Sequence, residues 1–192
     1  MRNSRLPLSI LPLTPDLFPA LVDLFGSTGP CQRCWCMYWR IGAGYKKNSP
    51  ASNQSALRKI VRQGPPPGLL AFSDDLPVGW CQLTPRSDLP WLEHSWHLQS
   101  PDSAPVWCIS CFYIRIGYRK KGVTSALIAG ALKYAKRAHA FAVEAYPLDP
   151  SLSPSATSTG YVSTFLRAGF KIAAHHTPSR PILRYALSSK GV

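Results

Sequence analysis

Residues 106–139 read VWCISCFYIRIGYRKKGVTSALIAGALKYAKRAH, and this stretch decides the fold. From Val106 to Ile114 nearly every residue is apolar, aromatic or small, which is typical of a strand buried on both faces. Residues 117–122 break the pattern with a basic turn that contains two glycines. From Val123 onward apolar residues recur at helical intervals, namely Leu127, Ala131, Leu132 and Ala135. The stretch therefore predicts a strand, a turn and a helix in succession.

The turn offers the chemistry of anion binding. A helix begins with backbone N–H groups that have no partner inside the helix, and its dipole adds partial positive charge there. Glycine lets a ligand approach the backbone closely, and Arg119, Lys120 and Lys121 supply positive charge. The turn therefore predicts a phosphate or pyrophosphate site. The spacings of the P-loop and of the dinucleotide-binding fingerprint are both absent from this turn.

The same residues resemble a known motif. Read as Arg119-x-x-Gly122-x-Thr124, the turn is similar to the Arg/Gln-x-x-Gly-x-Gly/Ala motif of the GCN5-related N-acetyltransferase (GNAT) superfamily, with threonine at the last small position. A predicted strand over 141–146 follows the helix, as in that family. Residues 166–170, LRAGF, resemble its penultimate helix and the Gly-Phe turn after it. The resemblance covers residues 69–187.

The resemblance implies an α/β fold with a mixed, mostly antiparallel central sheet, splayed middle strands and flanking helices. The rest of the chain agrees with it. We expect helices over 14–26, 55–63 and 160–168, strands over 68–73, 78–84 and 181–187, a loop over 85–105 and a flexible connection over 147–159. We expect residues 1–192 to form a single N-acetyltransferase domain, with 188–192 as a flexible tail.

The resemblance also implies acetyl-CoA as cosubstrate, held between the two splayed strands. Its pyrophosphate is expected on the turn, and its pantetheine arm on the exposed backbone of the strand. The cofactor-binding residues implied are Phe112, Tyr113, Ile114, Arg119, Lys120, Lys121, Gly122, Val123, Thr124 and Ser125. An acceptor amine would then attack the thioester directly, assisted by a base.

Glu144 is our candidate for that base. It lies among apolar residues in the predicted strand over 141–146, and a buried carboxylate without a partner is costly. The alternative is a carboxylate held in a structural ion pair. Relatives often place the general acid, a tyrosine, where this chain has Phe165, so Tyr161 and Tyr146 are the substitute candidates.

An aromatic segment near the N-terminus supplies candidates for the acceptor side. Trp35, Tyr38 and Trp39 combine apolar faces with polar edges, which suits the binding of rings or amines. The alternative for them is a packed cap on the core. His94 and His97 in the 85–105 loop could touch substrate, and the alternative for both is an ordinary surface histidine.

The chain has six cysteines, three of them in Cys31-x-x-Cys34-x-Cys36. A tetrahedral zinc site needs a fourth ligand, which the sequence does not place. Strand alternation puts Cys108 and Cys111 on opposite faces of the predicted strand, so we do not expect them to share a metal. We expect reduced, buried thiols and no metal.

The formal net charge is +13, with only nine acidic residues, which favours anionic partners. No apolar run reaches transmembrane length, and Pro7 and Pro12 interrupt the N-terminal apolar segment. We therefore expect a soluble cytoplasmic protein, monomeric or homodimeric, that does not act at a membrane.

Three functions are compatible with these residues. The first is acetyl transfer to a primary amine of a small molecule, for example an aminoglycoside-like antibiotic, in resistance or detoxification. A polycationic acceptor would be repelled by so basic a protein, so an amine of low charge fits better. The second is acetylation of an aminoacyl-tRNA or another nucleic-acid-bound amine, drawn by the basic surface. The third is a non-catalytic CoA-binding module.

Overall fold

The structure is a computed structural model that describes residues 6–26, 31–149, 151 and 158–187. The tail predicted over 188–192 and most of the second half of the connection predicted over 147–159 lie outside these residues. No helix within the described ranges is long and apolar enough to cross a membrane.

A seven-stranded sheet in the order β1-β2-β3-β4-β5-β7-β6 forms the centre of the fold. All neighbouring strands pair antiparallel except β4 and β5, which pair parallel. The strands are β1 Ser9–Pro12, β2 Gly68–Ser73, β3 Leu76–Pro85, β4 Val106–Ile114, β5 Ala142–Ala145, β6 Lys171–Ala174 and β7 Ile182–Ala186. The mixed, mostly antiparallel α/β fold expected from the sequence is confirmed.

Helices cover both faces of this sheet. They are α1 Phe18–Phe25, α2 Cys31–Cys34, α3 Tyr38–Ile41, α4 Pro50–Gln63, α5 Val123–Arg137 and α6 Val162–Arg167. On one face, the apolar stripe of α5 and Phe165 of α6 pack against Ile109 and Val143. On the other face, α1, α2 and α4 cover β2, β3 and Cys111. Trp39 of α3 and apolar residues of the 89–98 segment cover the starts of β4 and β5.

A β-bulge lies at Ser110. Gln82 of β3 pairs with Cys111, but the next residue, Leu83, pairs with Ile109, so Ser110 has no partner opposite it. The pairing of β4 with β5 ends nearby, at Ile109. An extra residue bends a strand and increases its twist. The bulge therefore accounts for the divergence of β4 from β5 in its second half.

The bulge also overturns one expectation. Cys108 lies in the cluster around Trp39, and Cys111 lies in the cluster beneath α1 and α2. Both thiols are thus on the side of the sheet away from α5. The prediction of opposite faces was wrong, because the extra residue at Ser110 shifts the alternation by one position.

Several element boundaries differ from the sequence-based prediction. Strands β1 and β6 were not predicted, and both are edge strands of four residues, too short to give a clear alternation. Helix α4 begins at Pro50 because the Ser49 side chain accepts a hydrogen bond from the Ser52 N–H and caps it. The 85–105 loop contains three short 3-10 segments, Arg86–Asp88, Pro90–Leu92 and Trp96–Leu98.

The contact between β2 and β3 gives a test of this packing. A Cβ on Gly68 would clash with the carbonyl oxygen of Cys81 and the ring of Trp80. We expect Gly68→Ala to lower the free energy of unfolding by about 1–3 kcal/mol, the usual cost of overpacking. Gly44→Ala is the matched control, since a Cβ there meets open space. Equal urea midpoints for the two variants would contradict this packing.

Candidate active site

The turn between β4 and α5 has the backbone that its glycines predict. Gly117 has φ 92°, Lys120 has φ 61° and Gly122 has φ 83°, all in the left-handed region that favours glycine. Gly122 caps α5 at its N-terminal end. The side chains of Arg119, Lys120 and Lys121 are exposed. Arg119 Nε donates to the Ile114 carbonyl at 3.4 Å, and the Lys121 ammonium lies 5.3 Å from the centroid of the Tyr118 ring.

The amides at the start of α5 are free of helical bonds. The first bond of the helix runs from the Ala126 N–H to the Gly122 carbonyl, 3.0 Å away. The N–H groups of Val123, Thr124 and Ser125 precede that bond, so they have no partner inside the helix. A Cβ on Gly122 would meet nothing within 4 Å, so the backbone faces open space. This donor set fits a diphosphate group.

The diverging half of β4 exposes its backbone only in part. The Arg115 N–H donates to Val78 of β3, so by alternation the backbone groups of Tyr113 also point to β3, and those of Phe112 and Ile114 point to the crevice. The Phe112 N–H donates to the Ser158 carbonyl at 2.5 Å. A carrier arm that pairs with Phe112 therefore has to displace Ser158.

Glu144 lies where β5 meets β4 and β7, and its side chain is fully buried. Its Oε1 accepts hydrogen bonds from the Arg184 Nε at 3.0 Å and from Nη2 at 2.6 Å. Its Oε2 accepts from Arg86 Nη1 at 3.3 Å and from the Tyr146 hydroxyl at 3.0 Å. Both oxygens are thus occupied, which favours the ion-pair alternative over the role of general base.

Further charges extend this cluster to the surface. Arg184 also donates to both oxygens of Asp102, at 2.7 Å and 2.9 Å, and these hydrogen bonds lower the pKa of Asp102 to about 2. Arg86 donates from Nε to Glu93 at 2.8 Å and from Nη1 to the Tyr146 hydroxyl. Two arginines thus join one buried and two half-exposed carboxylates.

The tyrosines proposed as acids differ in environment. Tyr146 is fully buried, and burial raises its pKa well above the usual value. Its hydroxyl also lies 3.0 Å from the Cys108 thiol. Tyr161, at the start of α6, is 37% exposed. Phe165 is fully buried and packs against Phe112 and Phe170. Of the two tyrosines, only Tyr161 is open to solvent.

The aromatic segment divides into core and surface residues. Trp35 is 4% exposed and packs against Phe18 and Phe25, as the packed-cap alternative describes. Trp39 is 8% exposed, and its indole N–H donates to the carbonyl of the bulge residue Ser110 at 3.3 Å. Tyr38 is 38% exposed. Tyr38 is therefore the member best placed to touch an acceptor.

His97 lies in the third 3-10 segment of the 85–105 loop, and His94 lies between the second and the third. The exposed ring of His94 stacks on Trp91 with 4.3 Å between the ring centroids. Partial burial lowers the pKa of His97, and the nearby charges of Arg180 and His176 act in the same direction. His97 is thus biased towards the neutral form.

A cavity of about 530 Å³ opens where the 85–105 segment meets the start of β4. Its lining includes Arg86, Glu93, Asp102 and Val106. The carboxylates of Glu93 and Asp102 are 54% and 48% exposed. The rim of the cavity therefore carries two half-exposed carboxylates, each of them paired with an arginine.

Sequence reasoning missed the partners of Glu144. Arg184 stands directly opposite Glu144 in the β5–β7 register, and it follows two apolar residues in its strand. A lone arginine in a buried strand was the available signal. Arg86 comes from a loop, and no spacing rule connects it to Glu144.

Replacement of Glu144 distinguishes its two roles. Glu144→Gln keeps the shape of the side chain but removes the charge between Arg86 and Arg184. We expect the free energy of unfolding in urea to fall by about 3–5 kcal/mol, the usual cost of breaking a buried ion pair. Asp102→Asn, which removes the half-exposed partner of Arg184, is the control and should cost less. Wild-type stability with lost turnover would instead support Glu144 as the base.

Comparison with known proteins gives a consistent result. The model of the Acetyltransferase (GNAT) family matches residues 33–151, more than half of the chain. No curated protein matches. Among solved structures, PaiA N-acetyltransferase from Thermoplasma acidophilum, in complex with coenzyme A, is 18% identical with a TM-score of 0.54, over 94% of this chain and 99% of that one.

Two further solved structures share the fold. The GNAT domain of S. lividans PAT is 15% identical with a TM-score of 0.56, over 92% of this chain and 89% of that one. An N-acetyltransferase from Staphylococcus aureus Mu50 is 14% identical with a TM-score of 0.55, over 95% and 99%. The family match shows that the chain belongs to the GNAT acetyltransferase family, as an enzyme whose cosubstrate is acetyl-CoA.

Proposed function

We propose that this enzyme acetylates a primary amine of a small molecule. The observation that carries the choice of acceptor is the cavity of about 530 Å³ rimmed by Glu93 and Asp102. Its volume lies within the range of about 300–1,000 Å³ that is usual for small-molecule sites. The half-exposed carboxylates would attract an ammonium group, although the net charge of +13 repels polycations. An amine of low charge, for example an amine-bearing antibiotic with few positive charges, fits both the carboxylates at the rim and the net charge of the protein.

Acetyl-CoA supplies an acyl group activated as a thioester. In our proposal the N–H groups at the start of α5 hold its pyrophosphate, with Arg119, Lys120 and Lys121 adding charge. Ile114 offers its backbone N–H to the pantetheine arm, since its carbonyl accepts from Arg119 Nε at 3.4 Å. Phe112 offers its backbone groups once Ser158 has moved. The backbone near the Ser110 bulge would polarise the acetyl carbonyl.

Proton transfer is assigned to exposed groups in this proposal. Tyr161 is the candidate acid for the leaving thiolate, because Tyr146 is buried and bonded to Glu144. Glu144 would set the position of Arg86 in the wall of the cavity, and water would carry the amine proton outward. Tyr38, His94 and His97 do not line this cavity, so their contact with the acceptor stays a prediction from the sequence.

Binding of the cosubstrate tests the role of the turn. A carboxylate at Gly122 places negative charge where the pyrophosphate is expected and strains a residue with φ 83°. We expect Gly122→Asp, and the double variant Arg119→Ala/Lys120→Ala, to weaken CoA binding at least roughly tenfold in calorimetry, the loss of one or two charge-assisted hydrogen bonds. Lys136→Ala, at the far end of α5, is the control. Unchanged affinity in the turn variants would exclude the turn as the cofactor site.

A thiol-release screen tests the acceptor. Acetyl-CoA is offered with amino acids, polyamines, amine antibiotics and charged tRNA as acceptors. We expect a low-charge small amine to be the best acceptor, and we expect Glu93→Gln to raise its KM several-fold with little change in kcat, since the carboxylate acts on binding. Asp75→Asn, in the exposed β2–β3 turn, is the control.

The rival acceptor gives a different result in the same screen. The basic surface favours a nucleic-acid-bound amine, whose binding would fall steeply as salt rises. Turnover of charged tRNA alone, with that salt dependence, would overturn the small-molecule proposal. Release of thiol with no acceptor would instead indicate a CoA-binding module. The cytoplasmic location, the single domain and the monomeric or homodimeric state stay predictions.

A further inference from the structure

Four cysteine side chains gather beneath the N-terminal helices. Cys31 and Cys34 belong to α2, Cys36 follows it, and Cys111 projects from β4 into the same cluster. The Cys34 thiol donates a hydrogen bond to the Cys31 carbonyl at 3.8 Å, and the Cys36 sulfur accepts one from the Trp80 indole N–H at 3.1 Å. All six cysteines are free thiols. Nothing in the proposed acetyl transfer uses these four.

The spacing of Cys31 and Cys34 allows a disulfide bond to form between them. Cys31 and Cys34 stand at the two ends of the single turn of α2, where the Trp35 N–H donates to the Cys31 carbonyl at 2.9 Å. Helical residues three apart lie on the same face, with Cβ atoms about 5–6 Å apart. A disulfide needs Cβ atoms about 3.5–4.5 Å apart, so a small adjustment within one turn suffices.

The two thiols of this pair are unequal. Cys31 is 6% exposed, whereas Cys34 is partly exposed, so a reagent reaches Cys34 first. Interaction with the Cys31 thiol lowers the pKa of Cys34 to about 7, and burial acts against this shift. The same interaction, together with burial, raises the pKa of Cys31. Cys34 is thus suited to attack, and Cys31 to act as the second, resolving thiol.

A metal site does not explain the cluster. Within the described ranges, no group of three or more His, Cys, Asp or Glu side chains is arranged to hold a metal ion. The other cysteines have different surroundings, because Cys108 contacts the Tyr146 hydroxyl and Cys81 is fully buried in β3.

We propose that Cys31 and Cys34 form a redox-active dithiol that reduces low-molecular-weight disulfides and is itself converted to an intramolecular disulfide. The Cys34 thiolate attacks one sulfur of the small disulfide, whose S–S bond breaks and releases one thiolate. The Cys31 sulfur, after losing its proton, then attacks Cys34 and releases the second thiolate. The two protons lost by the cysteines protonate the two thiolates, so one disulfide is reduced as one is formed.

Oxidised glutathione is the probe for the test. The reduced full-length chain is incubated with it at neutral pH, quenched with acid, and analysed by intact mass and peptide mapping. We expect the loss of two hydrogen atoms, a Cys31–Cys34 link and no lasting glutathione adduct. No mutation is needed for this result, so it does not depend on the folding of a variant.

Variants separate the two steps. Cys31→Ala should stop at a glutathione adduct on Cys34, because the resolving thiol is gone. Cys34→Ser should slow the reaction by at least roughly tenfold, because it removes the partly exposed thiol and leaves only buried ones to attack the disulfide. Cys81→Ala is the matched control and should behave as the unmodified chain.

Three results would overturn the proposal. The first is a chain that keeps all six thiols after incubation. The second is a disulfide that forms elsewhere, for example between Cys36 and Cys111, or a rate that Cys34→Ser leaves unchanged. The third is a cluster that resists alkylation until a chelator is added, which would show that the thiols hold a metal. None of these readouts involves acetyl-CoA, so they stand apart from the tests of acetyl transfer.

Discussion

The parting of β4 from β5 at Ser110 is the constraint on which the site depends. A parallel pair of strands normally shares all its backbone hydrogen bonds, and here the pairing stops at Ile109. Beyond the bulge, Phe112 and Ile114 turn their backbone groups to a crevice. The strand then leads into the turn at Gly122, so the backbone that faces the crevice and the amides at the start of α5 follow one another along the chain.

Ion pairs stabilise the half of β4 that stays paired with β5. Glu144 stands opposite Cys108 on one side and Arg184 on the other, and Arg86 reaches it from the loop after β3. A buried carboxylate between two guanidinium groups fixes three separate segments at one point. The same arginines also form ion pairs with Glu93 and Asp102 at the rim of the cavity. The core of the sheet and the wall of the proposed acceptor site are therefore one hydrogen-bonded unit.

Sequence patterns predicted the centre of this fold well and its detail poorly. The run from Val106 and the helix from Val123 were clear because composition changes sharply between them. The bulge could not be predicted, because one extra residue at Ser110 does not change the composition of the strand. The faces of Cys108 and Cys111 were misassigned as a result. The ion pairs of Glu144 join residues about 40 and 58 positions away, which no local pattern connects. The edge strands β1 and β6 were not predicted, because four residues are too few to show a clear alternation.

The most direct test of the account is a crystal structure of the chain bound to CoA. We expect the pyrophosphate on the amides that follow Gly122, the pantetheine arm along Ile114, and Ser158 moved away from the Phe112 N–H. A structure in which the Ser158 carbonyl keeps its hydrogen bond to Phe112 while CoA binds outside the crevice would contradict it.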